Sequence, residues 1–206
     1  ISVVSAKNGC AVGTEKAWKE VRKRNLPAFV YISKVDEDQA DYESAYASLR
    51  QAFGNSVTPF VIPLFDANGK SEGVINLLQE IVYKAEGGKI NEYPVPENKK
   101  EKVARLRGAL IETVAMSSDE LMEKYFNGEE ITKEEAVEAL HQGIIDGTIT
   151  PVYCGSATNV WGVIAMLDAI SESFPRFTAK KNEKLADGTL LPIDVAGDPS
   201  IFVFKT

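Results

Sequence analysis

The sequence predicts an α/β fold in which a parallel sheet is interrupted by a smaller α+β insertion. In residues 1–58, apolar strand-like runs alternate with amphipathic helical patterns, and the same alternation returns after residue 147. Residues 59–147 instead hold proline-containing strands followed by three consecutive helical patterns. Strands that alternate with helices form parallel βαβ units. The change of pattern therefore marks the insertion.

The first βαβ unit is predicted from two short apolar runs that are rich in β-branched residues. These runs are Ile1–Ser5 and Pro27–Ile32, and both read as strands. A helix is predicted between them from Gly13 to about Asn25, with Thr14 as its N-cap and Trp18 on its apolar face. A second helix is predicted over residues 39–53.

The insertion begins with strand patterns. Pro59–Phe65 is apolar but contains two prolines, which predicts an edge strand, and Gly73–Leu78 resumes the apolar pattern. Residues 91–98 contain two further prolines and are predicted to be an extended connector.

Three helices are predicted after that connector. The first has an apolar stripe formed by Val103, Leu106, Leu110 and Val114. The second and third begin at Ser117 and Thr132, each followed three residues later by a glutamate, which is the pattern of a capping box.

After the insertion, Thr150–Cys154 is predicted to be a strand of the parallel sheet, and Trp161–Phe174 the helix that follows it. Arg176–Gly188 is polar and is predicted to be a linker. The strand-like run Ile201–Phe204 is expected to belong to a further domain. Because strand patterns stand at both ends of the chain and need neighbours to pair with, we expect the chain to be a fragment of a longer protein.

The net charge of −7 is concentrated in the insertion. Residues 59–147 contain 17 acidic and 10 basic residues, whereas the rest of the chain is balanced. This excess argues against direct nucleic-acid binding by the insertion, because phosphates need Lys and Arg. It suits a basic protein partner, and the alternative is a solvated acidic face that maintains solubility.

Two further features indicate the cellular setting. No apolar run approaches the length of about 18 residues that a membrane span needs, so no membrane association is expected. With only two cysteines, Cys10 and Cys154, a disulfide framework is not expected, and a reducing, cytoplasmic location is predicted.

Two loops that follow predicted parallel strands carry the chemistry. The first is Ser33-Lys34-Val35-Asp36, and the second is Gly155-Ser156-Ala157. In GTP-binding domains, guanine is read by an [NT]-K-x-D loop and an S-A loop at these two places. The aspartate accepts hydrogen bonds from the N1 and N2 donors of the base, the lysine stem covers the ring, and a backbone N–H of the second loop donates to O6. The alternative is that Lys34 and Asp36 merely end a strand.

Beyond these loops, the chain resembles the elongation factor G family of translational GTPases. The sequence Asn-Gly-Cys-Ala-Val-Gly-Thr-Glu-Lys-Ala-Trp at residues 8–18 carries the resemblance. Supporting stretches are Leu121–Tyr125, Pro151–Ala157, Leu167–Ile170, Phe174-Pro175 and Val203–Thr206.

The resemblance implies the domain organisation of this chain. Residues 1–58 and 148–178 would form the second half of a P-loop GTPase domain, and residues 59–147 the subdomain inserted into it. Residues 179–206 would be a linker and the first strands of a β-barrel second domain.

The resemblance also implies the site residues, which are Ser33, Lys34, Asp36, Ser156 and Ala157, and the cofactors, which are GTP or GDP. One departure is that Ser33 stands where the family has Asn, which puts the affinity for the nucleotide in doubt. The implied partner is the ribosome, including its stalk protein, which would meet the acidic insertion.

The phosphate-binding part of such a site is missing from these 206 residues. No G-x-x-x-x-G-K-[ST] sequence is present. No D-x-x-G segment is expected to position Mg²⁺, since Asp66-Ala-Asn-Gly69 is predicted to be a turn. The longer parent is expected to be a GTPase that uses Mg²⁺, whereas this chain is predicted to be inactive and to bind GTP weakly or not at all. No catalytic or metal-binding residue is assigned: His141 is expected at the surface, and Cys154 is expected to be a buried apolar residue. Rival interpretations are an acidic interaction module with vestigial loops and a ribosome-protection-type GTPase.

Overall fold

The computed structural model describes residues 1–87, 89–129, 131–173, 182–194 and 196–197. The chain divides into two compact units, Ile1–Phe174 and Pro175–Thr206, which are described separately.

The first unit contains eight strands and six helices within its described residues. The strands are β1 (Ser2–Ser5), β2 (Val30–Ser33), β3 (Val57–Pro59), β4 (Val61–Phe65), β5 (Ser71–Asn76), β6 (Ile81–Glu86), β7 (Lys89–Pro94) and β8 (Thr150–Gly155). The helices are α1 (Val12–Lys23), α2 (Tyr42–Phe53), α3 (Glu97–Ala115), α4 (Asp119–Phe126), α5 (Lys133–Ile145) and α6 (Val163–Ser173).

A four-stranded parallel sheet forms the centre of the first unit, with strand order β1-β2-β8-β3. Val30, Ile32, Val152 and Cys154 of its two inner strands are completely buried, since the sheet is covered on both faces. In the register, Ser5 lies opposite Ser33, which in turn lies opposite Gly155. The carboxyl ends of β1, β2 and β8 therefore meet at one edge. The predicted α/β class is confirmed.

The chain leaves the parallel sheet at Phe60. Its N–H donates to Val152 O at 2.9 Å, and its carbonyl accepts from Leu77 N at 2.9 Å, so Phe60 is bonded to both sheets. The prediction of one strand over Pro59–Phe65 was wrong, because the run divides into β3 and β4. Both are edge strands, as the two prolines predict.

The second sheet is an antiparallel meander with strand order β4-β5-β6-β7. The connector predicted over residues 91–98 was wrong, since β7 pairs with β6 along its whole length. Strand β7 is largely exposed and polar, so it lacks the apolar alternation by which a strand is recognised. Strand β6 was missed as well.

Helices α3, α4 and α5 follow the meander. On α3, Val103, Leu110 and Val114 are buried, which confirms the predicted stripe. The capping box at Thr132 is confirmed, because the Thr132 hydroxyl accepts from Glu135 N and the Glu135 carboxylate accepts from Thr132 N. The capping box at Ser117 was wrong: the Ser117 hydroxyl donates instead to Val114 O at 2.6 Å.

Helix α1 begins earlier than predicted. Its N-cap is Ala11, and Thr14 lies within the helix, so the capping role expected of Thr14 was wrong. The predicted buried residue is correct, because Trp18 stacks on Phe53 with ring centroids 4.3 Å apart. The Arg22 guanidinium also lies over the Trp18 ring, with its central carbon 4.4 Å from the ring centroid.

The second unit contains one antiparallel hairpin within its described residues, β9 (Asn182–Lys184) with β10 (Leu190–Pro192). Strand β9 lies inside the predicted linker Arg176–Gly188. The predicted strand Ile201–Phe204 lies outside the described residues. Across the described ranges, no helix combines the length and the apolar character needed to cross a membrane.

Candidate nucleotide-binding site

Both sequence motifs lie on loops at the carboxyl edge of the parallel sheet. The loop of Ser33, Lys34 and Asp36 follows β2, and the loop of Ser156 and Ala157 follows β8, the neighbouring strand. In open α/β sheets, ligands bind outside the carboxyl ends of the strands. The fold thus brings together two motifs that are about 120 residues apart in sequence.

Backbone hydrogen bonds fix the base of the first loop. Ala6 N donates to Ser33 O at 2.8 Å, and Val35 N donates to Gly155 O at 3.4 Å, so the loop is tied to both neighbouring strands. The Ser33 hydroxyl is turned toward β1, where it donates to Val4 O at 3.0 Å. Val35 is buried and anchors the middle of the loop.

The two charged side chains of this loop remain accessible. Lys34 has a positive φ of 65° and an exposed side chain, whose Nζ lies 2.9 Å from Glu37 Oε1. Asp36 is partly buried. The Lys34 ammonium is therefore paired with Glu37, and Asp36 finds its partner on the other loop.

The second loop turns tightly around Trp161. Ser156 is completely buried, and its N–H donates to Trp161 O at 3.1 Å. The Tyr31 hydroxyl donates to the same carbonyl at 3.3 Å. Burial, reinforced by Cys154 and Asp36, raises the pKa of Tyr31, so this phenol keeps its proton and acts as a donor.

Ala157 stands at the open side of this turn. Its side chain is exposed, and among the residues that the structure describes no acceptor takes its N–H. A backbone donor in this position is available to a carbonyl oxygen of a ligand.

Two glycines allow the close approach of strand β8 to the loop. A Cβ at Gly155 would lie 1.9 Å from Trp161 O and 2.4 Å from the Tyr31 hydroxyl. A Cβ at Gly162, whose φ is +70°, would lie 2.0 Å from Cys154 O. The turn that presents Ala157 therefore requires glycine at both positions.

Asn159 links the two loops, and the sequence motifs did not point to it. Its side-chain Nδ2 donates to Asp36 Oδ2 at 2.8 Å, and its backbone N–H donates to Ser156 Oγ at 3.0 Å. The available signal was weak: an Asn in a short loop at the end of a parallel strand, three residues after Ser156.

The other candidate groups do not join this cluster. Cys154 is fully buried below the second loop, where burial raises the pKa of its thiol and keeps it neutral. His141 is partly buried on α5. Throughout the described part of the chain, no three His, Cys, Asp or Glu side chains come together in a way that could hold a metal ion.

The two loops present acceptors and a donor of the kinds that pair with one edge of a guanine base. The Asp36 carboxylate has more acceptor positions than Asn159 uses, since an ionised carboxylate accepts about four hydrogen bonds. On the neighbouring loop, the Ala157 N–H is a hydrogen-bond donor. Adenine presents a different set of donors and acceptors, so the same pair of groups would not fit it.

Comparisons with known proteins show the family of the chain. The model of the family "Elongation factor Tu GTP binding domain" matches residues 1–176. Elongation factor G of Mycoplasma pneumoniae is 32% identical over 178 residues, covering 85% of this chain and 26% of the relative. An elongation factor G-like protein of Thermotoga maritima is 29% identical over 210 residues, covering 100% of this chain and 30% of the relative.

A solved structure is similar to this chain as well. A crystal structure of a protein from Thermus thermophilus superposes with a TM-score of 0.79 at 34% identity, covering 86% of this chain and 26% of that one. The chain thus spans between a quarter and a third of the length of these relatives. Because the family model covers most of its length, the chain belongs to the elongation factor Tu GTP-binding domain family of translational GTPases.

Proposed function

We propose that this chain is the guanine-recognition part of a longer, GTP-dependent factor that drives ribosomal translocation during protein synthesis. The observation that carries the proposal is the register of the parallel sheet, in which Ser33 lies opposite Gly155. This register sets the two guanine-type motifs side by side. The similarity to elongation factor G supports the wider role.

In this proposal, Asp36 accepts hydrogen bonds from N1–H and N2–H of guanine, and the Ala157 N–H donates to O6. The exposed stem of Lys34 packs over the face of the base. Ser156 holds the second loop, since it is buried and bonded to Asn159 and Trp161. Ser33 supports the first loop through Val4 rather than contacting the base.

The phosphates and Mg²⁺ are assigned to other residues of the longer protein, because the 206 residues contain no phosphate-binding P-loop sequence. GTP and Mg²⁺ would together supply phosphoryl-transfer chemistry there. What this chain contributes is selection of the base.

Weak binding by the 206 residues follows from this division. Two charge-assisted hydrogen bonds contribute roughly 1.5–3 kcal/mol each, and one backbone donor contributes about 1 kcal/mol. Association costs at least ~4 kcal/mol. The remainder lies near or below the ~4.1 kcal/mol that a millimolar Kd represents. Calorimetry should therefore find a Kd for GTP of about 1 mM or weaker, and low-micromolar binding would contradict the division of roles.

The ribosome is the proposed partner, and the acidic insertion its point of contact with the stalk protein, as the family resemblance implies. Residues 109–147 contain ten acidic residues and two basic ones. Glu129, Glu134 and Glu138 among them are exposed. Such a surface would steer a basic partner and raise the association rate more than the affinity. A factor of this kind would work in the cytoplasm, where ribosomes translate.

The experiment that tests the proposal measures GDP and ADP binding by the full-length factor. Micromolar or tighter GDP binding, with ADP bound at least about a hundredfold more weakly, supports guanine recognition. If neither nucleotide binds, the loops are vestigial and the chain is an acidic interaction module. Ribosome-dependent GTP turnover in a translocation assay then separates a translocation factor from a ribosome-protection-type GTPase.

A further inference from the structure

We propose that Asn159 is a positioning residue that orients the Asp36 carboxylate for guanine, an inference that rests on the proposed function. Asn159 lies outside the two recognition motifs. It acts on the base through Asp36 rather than by its own contact.

The hydrogen bonds of Asn159 reach both loops. Its side-chain amide donates to Asp36 Oδ2 at 2.8 Å, and its backbone N–H donates to Ser156 Oγ at 3.0 Å. Ser156 is itself completely buried. The backbone of Asn159 is therefore anchored to a buried side chain, and its exposed side chain reaches from there to Asp36.

Within the part of the chain that the structure describes, Asp36 forms no ion pair. The nearby Lys34 ammonium is 2.9 Å from Glu37 and is committed to that carboxylate. Among the described residues, Asn159 is the one side chain that hydrogen-bonds to Asp36. The orientation of the carboxylate about its last torsion thus depends on Asn159, because carboxylate torsions are broad when no partner restrains them.

The direction of the hydrogen bond from Asn159 to Asp36 suits a site that recognises guanine. An amide donor occupies one acceptor position of Oδ2, and the remaining positions of the carboxylate stay available to two donors of the base. A Lys or Arg in place of Asn159 would compete with the base by charge. A neutral donor fixes the orientation without neutralising the carboxylate.

The test compares GDP with IDP, because the inosine base lacks the N2 amine and keeps N1–H. In the full-length factor, Asn159→Ala should weaken GDP binding about tenfold and IDP binding less, so the GDP/IDP preference should fall at least about threefold. Asn159→Asp keeps the shape of the side chain but replaces the donor with a second carboxylate. It should weaken GDP binding more strongly, by about a hundredfold.

The matched control is Thr158→Ala, which changes the exposed neighbour on the same loop and should leave both affinities within about twofold. Asp36→Ala provides the reference, since it should abolish the GDP/IDP preference. Asn159→Asp keeps the test valid if Asn159→Ala fails to fold, because its side chain has the same size.

The outcomes are distinguishable. If Asp36→Ala abolishes the preference while both Asn159 variants retain it, the positioning role is overturned and the proposed function stands. Equal losses of GDP and IDP affinity in the Asn159 variants would mean that Asn159 only shapes the loop, which also overturns the inference. If Asp36→Ala leaves the preference unchanged, the proposed function fails and takes the inference with it.

Discussion

Gly155 is the last residue of strand β8, and its position has no room for a side chain. We expect Gly155→Ala to destabilise the fold by about 1–3 kcal/mol, the usual cost of overpacking, because its Cβ would overlap the Trp161 carbonyl at 1.9 Å. The control is Gly13→Ala in the first turn of α1, where no atom lies within 4 Å of the added Cβ. That change should be neutral or stabilising by up to about 1 kcal/mol. Urea unfolding of both variants checks the prediction, and equal stabilities would contradict it.

At the scale of single residues, the sequence allowed candidate site residues to be predicted where they form a short motif. Lys34, Asp36, Ser156 and Ala157 were identified because residue type and position after a strand coincide, and the structure sets their loops side by side. Their contact with guanine remains a prediction. Asn159 was not identified, since its role depends on a hydrogen bond across 123 residues that no local pattern encodes.

Among the elements, helix α5 is the one whose N-terminal capping was predicted correctly. Its capping box places the Glu135 carboxylate on Thr132 N, and the same carboxylate pairs with Lys124 of α4. The hydrogen bond from Lys124, together with the one from the Thr132 backbone, lowers the pKa of Glu135 below its ordinary value of 4.5. This single side chain therefore joins the start of α5 to α4.

The lowered pKa fixes the direction of the pH dependence. Because the folded state favours ionised Glu135, its stabilising contribution is complete above pH 4.5 and is lost as the pH falls through the lowered folded-state pKa. Glu135→Gln should thus destabilise the protein at pH 7, and the difference from wild type should shrink as the pH falls below 4.5. Glu134→Gln, at an exposed position of the same turn, is the control and should have little effect at either pH. A difference that does not depend on pH would mean that ionisation of Glu135 is irrelevant.

Other elements show why local prediction fails. Strands β6 and β7 pair along six residues, yet β7 is mostly exposed and polar, so its pairing comes from the neighbouring strand rather than from its own pattern. Ser117 has the sequence of a capping residue, but its hydroxyl bonds back to the preceding helix at Val114. For β7 the pairing with a neighbouring strand outweighs local preference. For Ser117 a competing local hydrogen bond, three residues back, replaces the expected cap.

At the scale of the whole molecule, the charge distribution allows a test of the proposed contact with the ribosome. Reversing Glu129, Glu134 and Glu138 to Lys should slow ribosome-stimulated GTP turnover of the full-length factor about three- to tenfold at low salt, because steering raises association rates. The salt dependence should flatten, and ribosome-free hydrolysis should stay unchanged. Glu135 is left intact because it supports the fold.

The control reverses three exposed acids outside residues 109–147, namely Glu15, Glu92 and Glu101. This variant has the same net charge as the first but retains the acidic surface. If both variants behave alike, net charge rather than the acidic surface of residues 109–147 determines the rate. If neither changes turnover, the acidic surface serves solubility, and the stalk assignment is wrong.

The α/β class was predictable from the alternation of strands and helices, whereas the strand order was not. Sequence order would place β3 beside β2, but β8 lies between them and pairs with both. The insertion separates β8 from β3 by about 90 residues along the chain. The pairing of β8 with β2, also distant along the chain, is what sets the two recognition loops side by side.

The most direct test of the account is the base preference of the full-length factor carrying Asp36→Asn. The amide would present a donor to the C2 oxygen of xanthine, while the guanine N2 amine would lose its carboxylate acceptor. We expect GTP affinity to fall at least about a hundredfold and XTP affinity to rise, so that the variant prefers XTP, because a site built for specific hydrogen bonds rejects a mismatched partner strongly. Competition binding of GTP and XTP to wild type and variant measures this. An unchanged preference for GTP over XTP in the variant would contradict the claim that this chain reads guanine through Asp36.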